Sequence, residues 1–326
     1  DKHGVAVYDE SEKKFKHYHA GSGNPYLLGG GAVFELFEDR DHGIWIAIQG
    51  FGLYRFDPDN QLFRYFAPNP ENPQMLNHPQ VLTIEEGGDD DIWVATDGGG
   101  LNRLTGYHHY EKPVFTRYRH DPDNENSLTS NSVIGLAREP GDGDLWIGMW
   151  AGGLNKLEPE TGRFSHWRPR PLEKTVKQAV PGAETETLAS DNIFTLYIDR
   201  SNKLWISVWG AGVQMMDLTT ETLSPPMTGN PAGDKTTMHN NDVMAILQDD
   251  NGFFWFGGYN GLDRYDPAKN EFFNYGSTGE NGSGLQTNTI YVIHQGRENS
   301  LWLGTDRGLY HFSPDTGEFK NFDQSD

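Results

Sequence analysis

Three aromatic residues sit in short Gly-rich or Asn-rich stretches that read as turns. They are Trp150 in Trp150-Ala151-Gly152, Trp209 in Trp209-Gly210-Ala211 and Tyr259 in Tyr259-Asn260. Flat rings beside amides and carboxylates suit sugars, whose C–H faces stack on an aromatic plane while their hydroxyls find polar partners. Rings of this kind also serve as packing between sheets, and both readings stay open. Equivalent stretches add Phe51 in Gln49-Gly50-Phe51, Asp97 in Asp97-Gly98-Gly99, and the pair Asp306-Arg307. A second set of polar residues, His78, Asn131, Asn192, Asn241 and Asn288, stands just before apolar runs. Such residues could line a binding face with donors and acceptors. They could equally cap strand starts, because short amide side chains bond nearby backbone.

Other chemistries have little support. A glycosidase needs two carboxylates facing each other at roughly 5–10 Å, and spacing along the chain reveals no such pair. No nucleophile elbow, phosphate loop or dinucleotide fingerprint occurs, so no catalytic residue and no cofactor is expected. With no cysteine there is no thiolate metal site. The acidic stretches Asp39-Arg40-Asp41-His42-Gly43 and Gly141-Asp142-Gly143-Asp144 lack an EF-hand's ligand positions and closing Glu, and read as hairpin turns. His108-His109 and the isolated His239 show no metal-ligand spacing, so no metal is expected. Lys plus Arg number 26 against 47 Asp plus Glu, a net charge of −21. That disfavours nucleic acid and anionic membrane surfaces as partners. No apolar run approaches the ~18 residues of a membrane span.

The candidate residues are placed by a repeat. Trp45, Trp93, Trp146, Trp205, Trp255 and Trp302 recur every 47 to 59 residues. Each is preceded by a β-branched residue that opens an apolar run (Val33, Val81, Val133, Ile193, Val243, Ile290) and followed by a Gly with an aliphatic neighbour (Gly52, Gly100, Gly153, Gly212, Gly261, Gly308). Periods of ~40–50 residues made of short strands are the signature of propellers. Each repeat reads as four strands: the apolar run, the Trp strand, the strand after the Gly, and a strand with spaced aromatics. The first two look buried on both faces and the last two half-exposed, as expected of blades packed between neighbours.

The expected fold is an all-β propeller of four-stranded antiparallel blades forming a single domain over 1–326. A half blade occupies 1–19, and six full repeats occupy about 30–67, 78–119, 131–168, 191–224, 241–276 and 288–323. Seven blades are expected, the first incomplete, with its missing strand pair upstream of Asp1. A six-bladed ring with an appended hairpin is the alternative. The turns between second and third strands and those leading into first strands would then share one face, bringing Trp150, Trp209 and Tyr259 onto one arc. The longer stretch from Arg168 to Asp191 would wall that site or form a surface insertion.

The run from Asp121-Pro122-Asp123-Asn124 to Ser127-Leu128-Thr129-Ser130-Asn131, with Asp144-Leu145-Trp146-Ile147-Gly148 and Gly152-Gly153-Leu154-Asn155, resembles the two-component regulator propeller repeat. Ile92-Trp93-Val94-Ala95-Thr96-Asp97-Gly98-Gly99-Gly100-Leu101-Asn102 and Leu301-Trp302-Leu303-Gly304-Thr305-Asp306 carry the same likeness. The resemblance implies an extracytoplasmic, periplasmic sensor domain of an inner-membrane hybrid histidine kinase or a related diguanylate cyclase. It implies a small-molecule or oligosaccharide ligand, downstream signalling domains as partners, and the possibility of a homodimer. The chain itself is not expected to be an enzyme. A glycan hydrolase or lyase is one alternative, because xyloglucanase-type hydrolases share a similar Trp-centred run. A protein-interaction scaffold is the other.

Overall fold

A single Asp can organise a hairpin turn. Asp39 Oδ1 accepts the backbone N–H groups of Asp41 (3.1 Å) and Gly43 (2.8 Å), while Oδ2 accepts the Trp45 indole N–H (2.8 Å). Asp199 repeats the pattern on Ser201, Lys203 and Trp205, and Asp249 on Asn251, Phe253 and Trp255. These acidic turns are hairpin turns whose carboxylates are spent on backbone and indole donors.

The computed structural model describes residues 4–9, 14–19, 30–88, 91–108, 113–141, 143–169, 187–230, 235–275 and 284–322. They hold 26 strands and no helix. The chain divides into two compact units, Asp1–His166 and Trp167–Asp326.

The first unit opens with a two-stranded sheet, β1 (Gly4–Asp9) and β2 (Lys14–His19). Three four-stranded sheets follow. They are β3 (Val33–Glu38), β4 (Ile44–Ile48), β5 (Gly52–Asp57) and β6 (Leu62–Phe66); β7 (Val81–Glu86), β8 (Asp91–Thr96), β9 (Gly100–Thr105) and β10 (Val114–Tyr118); and β11 (Val133–Arg138), β12 (Leu145–Met149), β13 (Gly153–Glu158) and β14 (Arg163–Trp167), the last ending one residue past the unit boundary. The second unit holds three more. They are β15 (Ile193–Ile198), β16 (Lys203–Val208), β17 (Gly212–Asp217) and β18 (Thr222–Leu223); β19 (Val243–Gln248), β20 (Phe254–Gly258), β21 (Gly261–Asp266) and β22 (Glu271–Tyr275); and β23 (Ile290–Gln295), β24 (Leu301–Thr305), β25 (Gly308–Ser313) and β26 (Glu318–Phe322). Each sheet pairs in chain order. The fold is a β-propeller with six complete blades and half of another. β18 is short because Pro225 and Pro226 follow, and proline has no N–H for a ladder.

Every first strand carries a bulge near its start, as at Val33/Glu35 and Val243/Ala245. The extra residue adds twist. Third strands start on glycine: Gly212 has φ +82°, and a Cβ there would collide with the Met227 carbonyl.

The framing tryptophans pack against the next sheet. Trp45, Ala47 and Leu53 meet Val81, Ile84, Ile92 and Val94. Trp205 meets Val243, Phe254 and Phe256, with Phe254 at 4.1 Å between ring centroids. Trp255 meets Ile290, Leu303 and Phe312. Each fully buried indole contributes about 4–6 kcal/mol of transfer free energy as an upper figure.

Burial differs from the sequence expectation in two respects. Second strands are mostly buried, wholly so in β8 and β12 but less in β24, while first strands are not: β7 buries every third residue, and β3 exposes every second one. The first strand is the inner edge of its sheet, with no strand beyond it to cover it. Third strands are more buried than expected: β5, β9, β13, β17 and β21 bury their first three residues, while β25 does not. In the two-stranded sheet, Tyr18 packs on Phe56 (5.1 Å) and Phe63 (5.6 Å), the outer half of the adjacent blade. On the inner strand of that blade, Phe34 and Leu36 are 50% and 54% exposed.

Candidate functional site

The turns between second and third strands hold their shape by bonding to the loop entering the next blade. In the second unit, Gly210 N–H donates to Asp242 Oδ1 (2.8 Å) and Gly212 N–H to the Asn241 carbonyl (2.9 Å). Gly210 lies at φ +75° with open space where a Cβ would stand, which frees the turn to lift Trp209. The Trp209 backbone N–H is held by the Asn192 carbonyl (2.9 Å). Its ring rests on Phe194 (5.4 Å) and meets Tyr259 of the next blade edge-on (5.8 Å, 86°). Tyr259 is 44% exposed. Two of the three expected rings therefore meet, and they present an aromatic corner to solvent. Trp150 belongs to the first unit, where it is 41% exposed and its N–H bonds the Ser132 carbonyl (3.0 Å).

The polar candidates divide by what their atoms already do. Asn131 accepts from His120 N–H through Oδ1 (2.9 Å), and its carbonyl takes the N–H groups of Gly98 and Gly100. Asn241 exchanges two bonds with the Gly229 backbone. The Asn288 carbonyl takes Gly261 N–H (2.7 Å). The Asn131 and Asn241 side chains thus bond backbone, while Asn288 is engaged here through its own carbonyl. His78 Nδ1 accepts Gln80 N–H (3.3 Å). Asp97 accepts Ser132 Oγ–H (2.6 Å), and Asp306 accepts the Thr287 hydroxyl. The Arg307 N–H bonds Thr305 Oγ (3.1 Å). Phe51 stands 40% exposed in the first unit, its carbonyl taking the Tyr65 hydroxyl (2.7 Å). The stretch expected to wall the site lies mostly outside the described residues. Among the described residues no group of three or more His, Cys, Asp or Glu is placed to hold a metal ion, and no helix is long and apolar enough to cross a membrane.

Residues 237–260, from the loop before β19 through to Tyr259 and Asn260, match the family described as two component regulator propeller. Among solved structures the propeller is similar to the extracellular domain of a putative hybrid two component system from B. thetaiotaomicron, with 22% identity and a TM-score of 0.69 over 93% of this chain and 37% of that one. A second such domain from the same organism gives 17% identity and a TM-score of 0.61 over 100% and 46%. A streptogramin B lyase gives 14% identity and a TM-score of 0.62 over 92% and 84%. At these identities the likeness is one of fold. The chain spans less than half the length of the first two. No curated protein is similar to it in sequence.

The propeller also contains a buried polar post that sequence reasoning missed. The third residue of the third strand is Asn102, Asn155, Gln214 and Asp263 in four successive repeats, and all four are buried. Each pins the loop entering its own blade. Asn102 donates to Asn77 Oδ1 (3.1 Å), Asn155 accepts Thr129 N–H (3.1 Å), and Gln214 accepts Ala189 N–H (2.8 Å). Asp263 accepts from the N–H groups of His239 and Asn240. The signal was a polar residue after Gly-Leu or Gly-Val, which an alternating strand pattern assigns to solvent.

The propeller's inner strands carry two perturbed carboxyls. Burial pushes Glu35 up to about 8, against the Ile84 N–H (2.6 Å) that favours its charge, and nearby Glu85 adds repulsion. Burial likewise lifts Glu85 to about 8, opposed by Arg138.

Proposed function

We propose that this chain is the extracytoplasmic ligand-sensing domain of a membrane-bound signalling protein. The family match at residues 237–260 and the fold shared with extracellular domains of hybrid two component systems support the sensor reading. Its place would be the periplasm. The membrane span and the histidine kinase or diguanylate cyclase would be carried by other parts of the same protein, and this domain binds without catalysing.

The observation that carries the ligand reading is the Trp209–Tyr259 corner, two rings 5.8 Å apart on adjacent blades, Tyr259 exposed and Trp209 half-buried. A sugar ring would stack there, beside Asp242 and Asn260, which hold the two turns. The net charge of −21 selects neutral oligosaccharides over polyanionic ones. Binding would change output only through unequal affinity for two arrangements of the domain and its neighbours.

Calorimetry against a panel of neutral oligosaccharides tests this. A panel member should bind, and Trp209→Ala and Tyr259→Ala should each weaken it about tenfold or more. A panel with no binder, or unchanged affinity in both variants, rejects the site. Turnover of a bound oligosaccharide by the isolated chain would replace the sensor reading with a glycan hydrolase or lyase.

A further inference from the structure

Three of the four buried posts described above are neutral amides; Asp263 is charged. Asn155 shows that an amide suffices to pin the loop, so the charge at Asp263 has another cause. Its carboxylate is fully buried. It accepts from His239 N–H (3.0 Å), Asn240 N–H (3.1 Å), Asn240 Nδ2 (3.0 Å) and Asn274 Nδ2 (3.2 Å), and it lies 3.3 Å from His239 Nδ1. A buried carboxylate without a cation is costly, and His239 supplies one when protonated.

The same loop grips the aromatic corner. Asn260 N–H donates to Asn240 Oδ1 (2.8 Å), Asn260 Nδ2 to the His239 carbonyl (3.1 Å), and Asn274 Nδ2 to the Asn260 carbonyl (3.3 Å). Asn260 follows Tyr259 directly. The charged group facing His239 is Asp263, from β21. Asn260, from the preceding turn, bonds the His239 carbonyl and does not titrate, and Asp263 is the one charged group acting on His239 among the described residues.

We propose that His239, held by Asp263, is a positioning residue whose proton fixes the Tyr259–Asn260 turn, so that ligand engagement at Trp209 and Tyr259 weakens when that proton is lost. The ligand clause rests on the site proposed above; the coupling of His239 to the turn does not. The hydrogen bond to Asp263 raises the His239 pKa above the ordinary imidazole value, outweighing burial. A raised folded value means the stabilisation is complete below about pH 6.5 and disappears as pH climbs through that higher value.

The test follows two resonances from about pH 5.5 to about pH 8.5: the His239 Cε1–H proton and a fluorinated phenylalanine placed at position 259. Both should move with one midpoint in the otherwise native chain. Asp263→Asn copies the amide of the sister blades, so it should fold. It should lower the His239 midpoint, uncouple the fluorine signal from it, and remove about 2 °C of the pH-dependent fall in Tm. A fluorine signal indifferent to pH, or a His239 midpoint unchanged in Asp263→Asn, overturns the proposal. Coupled resonances in a chain that binds none of the oligosaccharides would uphold the coupling and reject the ligand site alone.

Discussion

Asp249 Oδ2 accepts the indole N–H of Trp255 at 2.8 Å, across six residues of chain, and its Oδ1 holds the two backbone donors of the same turn. One carboxylate thus shapes a hairpin and orients the ring that packs on the next sheet. Asp249→Ala leaves three donors without their acceptor, two of them in a tight turn, and should cost about 2–4 kcal/mol. Asp249→Asn keeps an acceptor and should cost less. Urea unfolding monitored by Trp fluorescence measures both.

At the aromatic corner, the two substitutions should differ in kind. Trp209 rests on Phe194 as well as on Tyr259, so Trp209→Ala should lower Tm slightly in addition to abolishing binding. Tyr259 is 44% exposed and touches Trp209 only edge-on, so Tyr259→Ala should weaken binding about tenfold with a smaller change in Tm. Trp150→Ala, in the first unit, reports separately whether that exposed ring takes part. Calorimetry paired with thermal melts separates these outcomes.

Glu35 and Glu85 predict a loss of stability toward alkaline pH. Both folded values, about 8, exceed the ordinary carboxyl value, so the folded state binds protons more tightly than the unfolded chain. Their stabilising contribution is complete below about pH 4.5 and is lost as pH rises through about 8. Glu85→Gln should raise Tm by about 2–4 °C at pH 9 while leaving it unchanged at pH 4. Differential scanning calorimetry at the two pH values checks the sign.

Arg117 clamps the loop before β7. Its Nε donates to the Met75 carbonyl (3.0 Å), Nη1 to Pro70 (3.0 Å), and Nη2 to Asn69 (2.7 Å), Asn72 (2.5 Å) and Met75 (2.8 Å). Arg117→Met keeps the stem and removes the fork, which should cost about 2–3 kcal/mol and open residues 69–76 to protease. Arg117→Lys should not restore protection, because an ammonium cannot span carbonyls arranged for a planar fork. Limited proteolysis followed by mass spectrometry reads the cleavage.

The frame of this fold was legible in the sequence because Trp45 through Trp302 and the glycines after them each answer to a local steric demand. The acidic turns were legible as turns, although the bond from Asp39 to the Trp45 indole was not, since it needs the hairpin closed. The candidate site was legible by position. The turns at Trp209 and Tyr259 do meet, but nothing local says that the side chains of Asn131 and Asn241 are consumed by nearby backbone. His239 and Asp263 stand 24 residues apart, and only the loop crossing its own blade brings them together. The stretch 170–186 lies outside the described residues.

Phe34 and Leu36 give the first unit a greasy strip in contact with water, on a molecule whose charge is −21. At low ionic strength, mutual repulsion keeps such molecules apart. In concentrated salt the repulsion reaches only about 3 Å, and the strip is then free to find another like itself. Colloidal behaviour should therefore turn on ionic strength, with dilute buffer preserving single molecules and brine driving them to cluster.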